Sequence, residues 1–426
     1  MFITENIIEE VLKCTNLEGR RAAAAKGKVW RNIEKEEFMA FIGLTLLSGG
    51  EKNWDVALRE LFLDQLQNPM YKAITGLRRY EDIRLFIRFD NRRTMALRLE
   101  TEYMAAFKNL QVLQYMPSKP AKYGIKIFWK CDARVPYAID GIVYTGRQPG
   151  EEVQRNLGEN IFLKLSSGII QTGRNITIDN FFTSVPLAEK NLTILGTLSL
   201  NKPDIPPITK PSNSLLIHSS EFGFNGNMTM VSYVQKKGRA VVLLSTMHDD
   251  KAVDDTPKKK PDVIHYYNRT KGGLDTTDQM VGTNTCKRRT RRWPMVLWYN
   301  MLDIATLNAY TSFNAEQPGY FAGVTNARRL FIKELGKELV MPHMKSRLEG
   351  TPTLQKHIIE AMGRCGIEKQ SSTGPQEDKG TAKRKRCAIC PSAKDQKASS
   401  CCSRCKKPVC KEHNCTVVIF DTCEEL

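Results

Sequence analysis

The chain has 426 residues, 12 cysteines and a formal net charge of +18. That length supports two or three domains with a sizeable core, and the longest apolar run, around Phe38–Leu47, is too short to span a bilayer. The basic balance points to an acidic partner, nucleic acid above all. The opening MFITENIIEEVLK lacks a basic-then-apolar leader, so the chain reads as intracellular and its cysteines as metal ligands rather than disulfides.

The first hundred residues read as helical. Ile7, Ile8, Val11 and Leu12 mark one apolar face; Phe38, Phe41, Ile42 and the leucines to Leu47 mark a second helix, stopped by Gly49 and Gly50. Leu58, Leu61, Phe62 and Leu66 repeat the period, whereas Ile83–Phe89 suits a helix or a strand. No catalytic cluster stands out here, and a scaffold or a platform for DNA or a partner fits equally.

After Pro120 the period changes. Ile125–Cys131 reads as a buried strand, and YAIDGIVYTG carries a hairpin signal at Asp140–Gly141. A helix is expected over Glu151–Leu165, then a strand in RNITIDNFF ending at Asp179. Ser184 with Pro186 marks another helix start, and Leu192–Leu200 completes an alternating α/β pattern. Asn201–Pro261 reads as a small β insertion with turns at Asn225–Gly226 and Lys237–Gly238. Lys258–Lys260 at its end suits a solvated turn better than a DNA-facing edge.

The stretch NRTKGGLDTTDQM, Asn268–Met280, carries Asp275 and Asp278. If a helix begins there, the i, i+3 spacing puts both carboxylates on one face of its first turn. With Asp179 at a strand end, they offer the oxygen ligands Mg²⁺ prefers, and two such ions can clamp an in-line phosphoryl displacement. From spacing alone a plain helix cap is the commoner explanation. KRRTRRWPM follows, and Lys287, Arg288, Arg289, Arg291 and Arg292 beside Trp293 suit phosphates and a stacked base; a solvated basic helix start with Trp293 and Trp298 in the core is the alternative. Helices continue through Leu302–Phe313 and Arg329–Leu339, toward Ile359.

Gly366–Thr381 has linker composition, and Lys383–Arg386 (KRKR) suits a nuclear localisation signal or a DNA contact. Eight cysteines fall between Cys387 and Cys423. Cys387-x-x-Cys390, Cys402-x-x-Cys405 and Cys410-x-x-His413 have the spacing of tetrahedral zinc ligands. Six ligands exceed one site, so two structural Zn²⁺ ions with interleaved ligands are expected, completed from Cys415 and Cys423, with Cys401 a substitute for Cys402. So small a segment needs metal to fold.

In their order along the chain, MPSKPAKYGIKI, RNITIDNFFTSVPLAEK, YYNRTKGGLDTTDQM, RRWPM and the cysteine-histidine tail resemble the piggyBac family of DDE transposases. The resemblance implies a mixed α/β fold: an RNase H-like core (106–205 and 262–284) with a β insertion (206–261). It also implies a helical dimerisation and DNA-binding domain in two pieces (1–105 and 285–363), a linker (364–382) and a cysteine-rich zinc module (383–426) that recognises transposon-end DNA. The family's activity is Mg²⁺-dependent cut-and-paste transposition at TTAA sites through hairpin intermediates. Asp179 and Asp275 match its second and third catalytic aspartates, and Asp278 the additional one a turn on, which favours the metal role over capping.

One departure matters. The family's first aspartate, on a strand followed by Gly-Phe-Arg-Gly, has no counterpart: ETEYMAAFKN runs straight into LQVLQYMPSKP. An ungapped register brings Glu100 to the vacant position, in surroundings unlike that strand. A deletion here removes a carboxylate and a core strand together. In the tail, the usual closing Cys-x-x-Cys is broken, with Phe420 where its first cysteine would fall. The expected function is therefore a transposase-derived, nuclear, homodimeric protein that binds double-stranded DNA and is catalytically impaired. The alternatives are an active Mg²⁺-dependent transposase and a zinc-module adaptor for proteins.

Overall fold

A computed structural model of the chain describes residues 3–63, 68–89, 113–116, 122–144, 146, 156–190, 192–202, 205–210, 214–351 and 353–367, with 386–391, 394, 396, 398, 400–401 and 407–413 of the tail. The chain divides into two compact units, Met1–Glu368 and Lys369–Leu426.

The first unit opens with helices α1 (Glu5–Ala24), α2 (Lys35–Gly50), α3 (Leu58–Leu61), α4 (Met70–Ile74) and α5 (Leu77–Phe86). Helix α1 buries Ile8 and Val11 on one face. Helix α2 is apolar nearly all round and is buried from Phe38 to Gly50 apart from Met39, as expected of a helix inside a core. The ambiguous segment at Ile83 is helical because Tyr80 and Ile83, one turn apart, both enter that core.

The second helical piece comes some two hundred residues later, as α10 (Trp293–Glu316), α11 (Ala327–Gly350) and α12 (Lys356–Arg364). These helices are longer than the sequence pattern marked. They share one hydrophobic core with the first piece: Phe38, Phe41 and Ile83 pack in the same cluster as Trp298, Val340 and Met362. Trp298 lies 6.1 Å from Phe38 and 5.3 Å from Phe89 between ring centroids. Helices α2 and α11 cross closely, since a Cβ on Gly43 would lie 2.8 Å from the carbonyl oxygen of Gly336.

Between the helical pieces lies the α/β region, with α6 (Leu157–Ser166) and α7 (Val185–Ala188) as its first helices. Strands β1 (Leu113–Tyr115), β2 (Tyr123–Cys131) and β3 (Ala138–Tyr144) form an antiparallel sheet in that order. A second sheet runs β4-β5-β8-β7-β6, from β4 (Ile176–Ile178), β5 (Ile194–Thr197), β6 (Ser220–Asn225), β7 (Met228–Lys236) and β8 (Arg239–Ser245). Only β4 and β5 are parallel in it.

The strands β6–β8 from the expected insertion therefore extend the sheet of β4 and β5. Their hairpins turn at Gly226 (φ 58°) and Gly238 (φ 68°), left-handed positions suited to glycine. The turn expected at Asp140–Gly141 is not there. Both residues lie within β3, and the chain reverses over residues 132–137 instead. Gly141 has a different reason for being glycine: the Trp129 ring covers it, 2.5 Å from where a Cβ would sit.

Among the described residues no strand joins β2 to β4. The two sheets meet through side chains: Phe128 on β2 stacks on Phe181 at 5.6 Å and meets Phe182 edge-on at 5.7 Å, just beyond β4. Helix α6 supplies Ile161 and Leu165 to the same cluster. Ser184 caps α7 as expected, its Oγ accepting from the Leu187 N–H at 3.3 Å.

Candidate functional site

The acidic residues sit just after β4 and on one helix. Asp179 directly follows β4 and is exposed, its Oδ1 accepting the Phe181 N–H at 2.9 Å. Asp275 and Asp278 lie on α9 (Gly272–Thr283), which follows α8 (Asp262–Thr270) after a one-residue break at Lys271. The helix does begin where the spacing required. Asp275 is in the first turn without being the N-cap, a position held by Lys271, so the simple capping explanation does not hold for it.

Two contacts bring these elements together. The Thr177 hydroxyl on β4 donates to that of Thr270 at the end of α8, at 2.7 Å. At Gly273, α9 meets the end of β2 so closely that a Cβ would fall 2.5 Å from the Asp132 carbonyl oxygen.

That approach introduces groups the motifs did not single out. Burial pushes the Cys131 thiol up, the Thr277 hydroxyl opposes this, and the nearby carboxylates of Asp278 and Asp132 add to the rise. Asp132 is held by Arg134 and Val135 N–H groups at 2.7 and 3.1 Å. On β2, Lys126 Nζ lies 4.4 Å from the Phe128 centroid and 4.8 Å from that of Phe181. Burial lowers its pKa, and Asp179 opposes this. A lysine within one strand and an aspartate directly after it, in YGIKIFWKCD, were the available sequence signal for these neighbours.

Among the described residues, the one group of three or more metal-ligating side chains within reach of a shared ion is in the tail. Asp179, Asp275 and Asp278 offer oxygen ligands of the kind Mg²⁺ prefers, at the end of β4 and on α9. Glu100 lies outside the described residues.

The basic run divides by burial. Arg288 is buried and donates to the carbonyls of Val56 (2.8 Å) and Asn53 (3.1 Å) and to Ser48 Oγ (3.0 Å). Arg292 donates to the carbonyls of Arg84, Leu85 and Ile87, at 3.0, 2.8 and 2.5 Å. Burial lowers the Arg292 pKa to about 10. Both guanidinium groups spend their donors tying the second helical piece to the first, a structural role the basic run did not announce. Lys287, Arg289 and Arg291 are exposed, and Trp293 is half-buried at the start of α10.

In the tail, Cys387, Cys390, Cys410 and His413 bring their ligand atoms within 4.8 Å of one another. His413 Nδ1 lies 3.8, 3.4 and 3.3 Å from the three sulfurs. The Ile389 N–H, with those of Cys410 and Cys390, holds the Cys387 thiol down to about 6 despite some burial, favouring the thiolate a metal needs. Strands β9 (Ser400–Cys401) and β10 (Pro408–Val409) pair beside it. Among the described residues, the first Cys-x-x-Cys is thus joined to the Cys-x-x-His. Three sulfurs and one imidazole nitrogen suit a tetrahedral, closed metal site. Cys402, Cys405, Cys415 and Cys423 lie outside the described residues, as do Lys383–Lys385.

A mixed α/β core interrupting a two-piece helical domain, with carboxylates just after β4 and on α9 and a cysteine-histidine tail, defines a transposase-like protein. The family model described as "Transposase IS4" matches residues 1–102 and 96–310, and the chain belongs to that family, in its piggyBac branch. A cryo-EM structure of a piggyBac transposase synaptic complex with hairpin DNA matches with a TM-score of 0.79 and 31% identity, covering 97% of this chain and 94% of that one.

Human PiggyBac transposable element-derived protein 3 is 23% identical over 345 residues, covering 69% of this chain and 56% of the relative. The human chimeric ERCC6-PGBD3 protein matches at the same identity, with 32% of its length covered. The chain thus spans about half or less of these two relatives. The family match comes as two stretches that overlap at residues 96–102, next to the place where the first aspartate and its strand were expected. No helix among the described residues is long and apolar enough to cross a membrane.

Proposed function

We propose that this chain is a piggyBac transposase-derived, double-stranded-DNA-binding protein of the nucleus, dimeric like the family it resembles, whose acidic site is catalytically impaired. The observation that carries the reading is in the sequence: the stretch from Glu100 to Pro120, where the first aspartate was expected, contains no aspartate and no Gly-Phe-Arg-Gly. The family match supports it in coming as two stretches, 1–102 and 96–310, that meet close to that place. DNA binding is supported by the +18 charge, by the exposed Lys287, Arg289 and Arg291 and by likeness to a transposase whose structure contains hairpin DNA.

In the tail, Cys387, Cys390, Cys410 and His413 would hold a structural Zn²⁺, which would cross-link a segment too small to fold by burial alone. The remaining cysteines are candidates for a second ion.

The test is a nuclease and strand-transfer assay on hairpin-ended and linear duplexes with Mg²⁺, beside binding measured at several salt concentrations. Binding that weakens steeply with salt, without strand cleavage, is the expected result. Mg²⁺-dependent cleavage that Asp179→Ala or Asp275→Ala abolishes would restore the enzyme reading. Binding with no salt dependence would favour the tail as a protein adaptor.

A further inference from the structure

The C-terminal end of α2 carries an exposed tryptophan in a basic surrounding that no single stretch of sequence encodes. Trp54 is 50% exposed in the loop after α2, and Lys287 Nζ lies 5.9 Å from its ring centroid. The loop is held from beneath. Arg288, buried next to Lys287, donates to the carbonyls of Asn53 and Val56 on either side of Trp54, at 3.1 and 2.8 Å. Asn53 N–H also closes onto the Ser48 carbonyl at 2.9 Å. The same helix end receives α11: Arg329 Nε donates to the Gly50 carbonyl at 2.7 Å, and the Lys333 stem packs against Gly50.

Lys52, Lys287, Arg329 and Lys333 thus come to this helix end from three stretches of the chain, and Arg289 is exposed two residues beyond Lys287. The acidic neighbours in these segments are Asp55, which is exposed, and Glu51, whose carboxylate accepts from the Asn53 and Asn68 amides at 2.9 and 2.8 Å. Among the described residues no carboxylate pairs with Lys52, Lys287 or Arg289 within 4.0 Å. An exposed indole on a pinned loop, edged by unpaired cations, offers a flat apolar face beside positive charge. The sugar–phosphate backbone of DNA, with apolar sugar next to anionic phosphate, is complementary to it in both respects.

We propose that this surface is a DNA-backbone contact in which Trp54 packs on a deoxyribose while Lys287 and Arg289 hold the flanking phosphates. The proposal rests on the DNA-binding reading above and assigns it a surface. Arg288 fixes the loop and makes no contact with DNA.

The test is binding of the full chain to a fluorescent duplex, titrated from low to physiological salt. Trp54→Ala is expected to weaken binding about tenfold with an unchanged salt slope, and Trp54→Phe to recover most of the loss. Lys287→Ala with Arg289→Ala is expected to flatten the log–log salt slope by about 2. All of these side chains are at the surface, so the thermal midpoints should match wild type. If wild type binds with a salt-dependent affinity and the Trp54→Ala variant binds equally well, or the double variant keeps the full slope, this surface is wrong and the DNA-binding reading survives. If wild type shows no salt-dependent binding to duplex, both fall together.

Discussion

Arg288 and Arg289 stand side by side in the chain, one buried and the other exposed. Arg288 carries three hydrogen bonds to the end of α2 and the loop beyond it. Bonds to a charged donor exceed the usual net worth, and a truncated arginine would leave buried carbonyls without donors, so Arg288→Ala should cost about 3 kcal/mol. Arg289→Ala should stay within about 0.5 kcal/mol, as surface changes do. Thermal unfolding of the two variants compares them directly, and similar midpoints would contradict the assignment. The basic run was legible as a run. Which of its members face solvent was not, because burial depends on α2 and α5, some two hundred residues away in sequence.

Among elements, the crossing of α2 and α11 binds the two helical pieces. A Cβ on Gly43 would meet Val340 Cγ1 at 2.7 Å and the Gly336 carbonyl oxygen at 2.8 Å. Alanine favours a helix over glycine by about 1 kcal/mol, yet overpacking of this kind costs about 1–3 kcal/mol. The backbone oxygen cannot turn aside as a side chain could. Gly43→Ala should therefore lower the thermal midpoint despite its better propensity, whereas Gly363→Ala, with nothing within 4 Å of its would-be Cβ, should not. The periodic apolar residues of α2 announced a buried helix, but its partner was outside the reach of periodicity. The same limit explains Asp140–Gly141: an Asp-Gly pair reads locally as a turn, while the Trp129 ring over Gly141 makes it part of β3.

For the whole molecule, the tail and the rest form separate compact units, and the tail's one described ligand set is three sulfurs and a nitrogen. Chelation should release at least one zinc per chain and expose 369–426 to protease, while the thermal transition of the first unit stays in place. Cys390→Ser or His413→Ala should have the same effect without chelator. Loss of the first unit's transition on chelation would contradict that separation. In the α/β region, Asp179 follows β4 and Asp275 and Asp278 ride on α9, while β2 meets the turn after β4 through Phe128, Phe181 and Phe182.

The sequence by itself determined what is local: the helical periods, the strand ending at Asp179, the helix carrying Asp275 and Asp278, and the paired thiol spacing. These follow from 3.6- and 2-residue geometry and from ligand chemistry within a few residues. The motif order also marked the family. Tertiary structure alone decided that Cys387 and Cys390 share a cluster with Cys410 and His413, that Arg288 and Arg292 turn inward, and that Trp54 stands beside Lys287. Each of these joins residues far apart in the chain, and such a pairing is set by how complementary faces pack, which no spacing along the chain records.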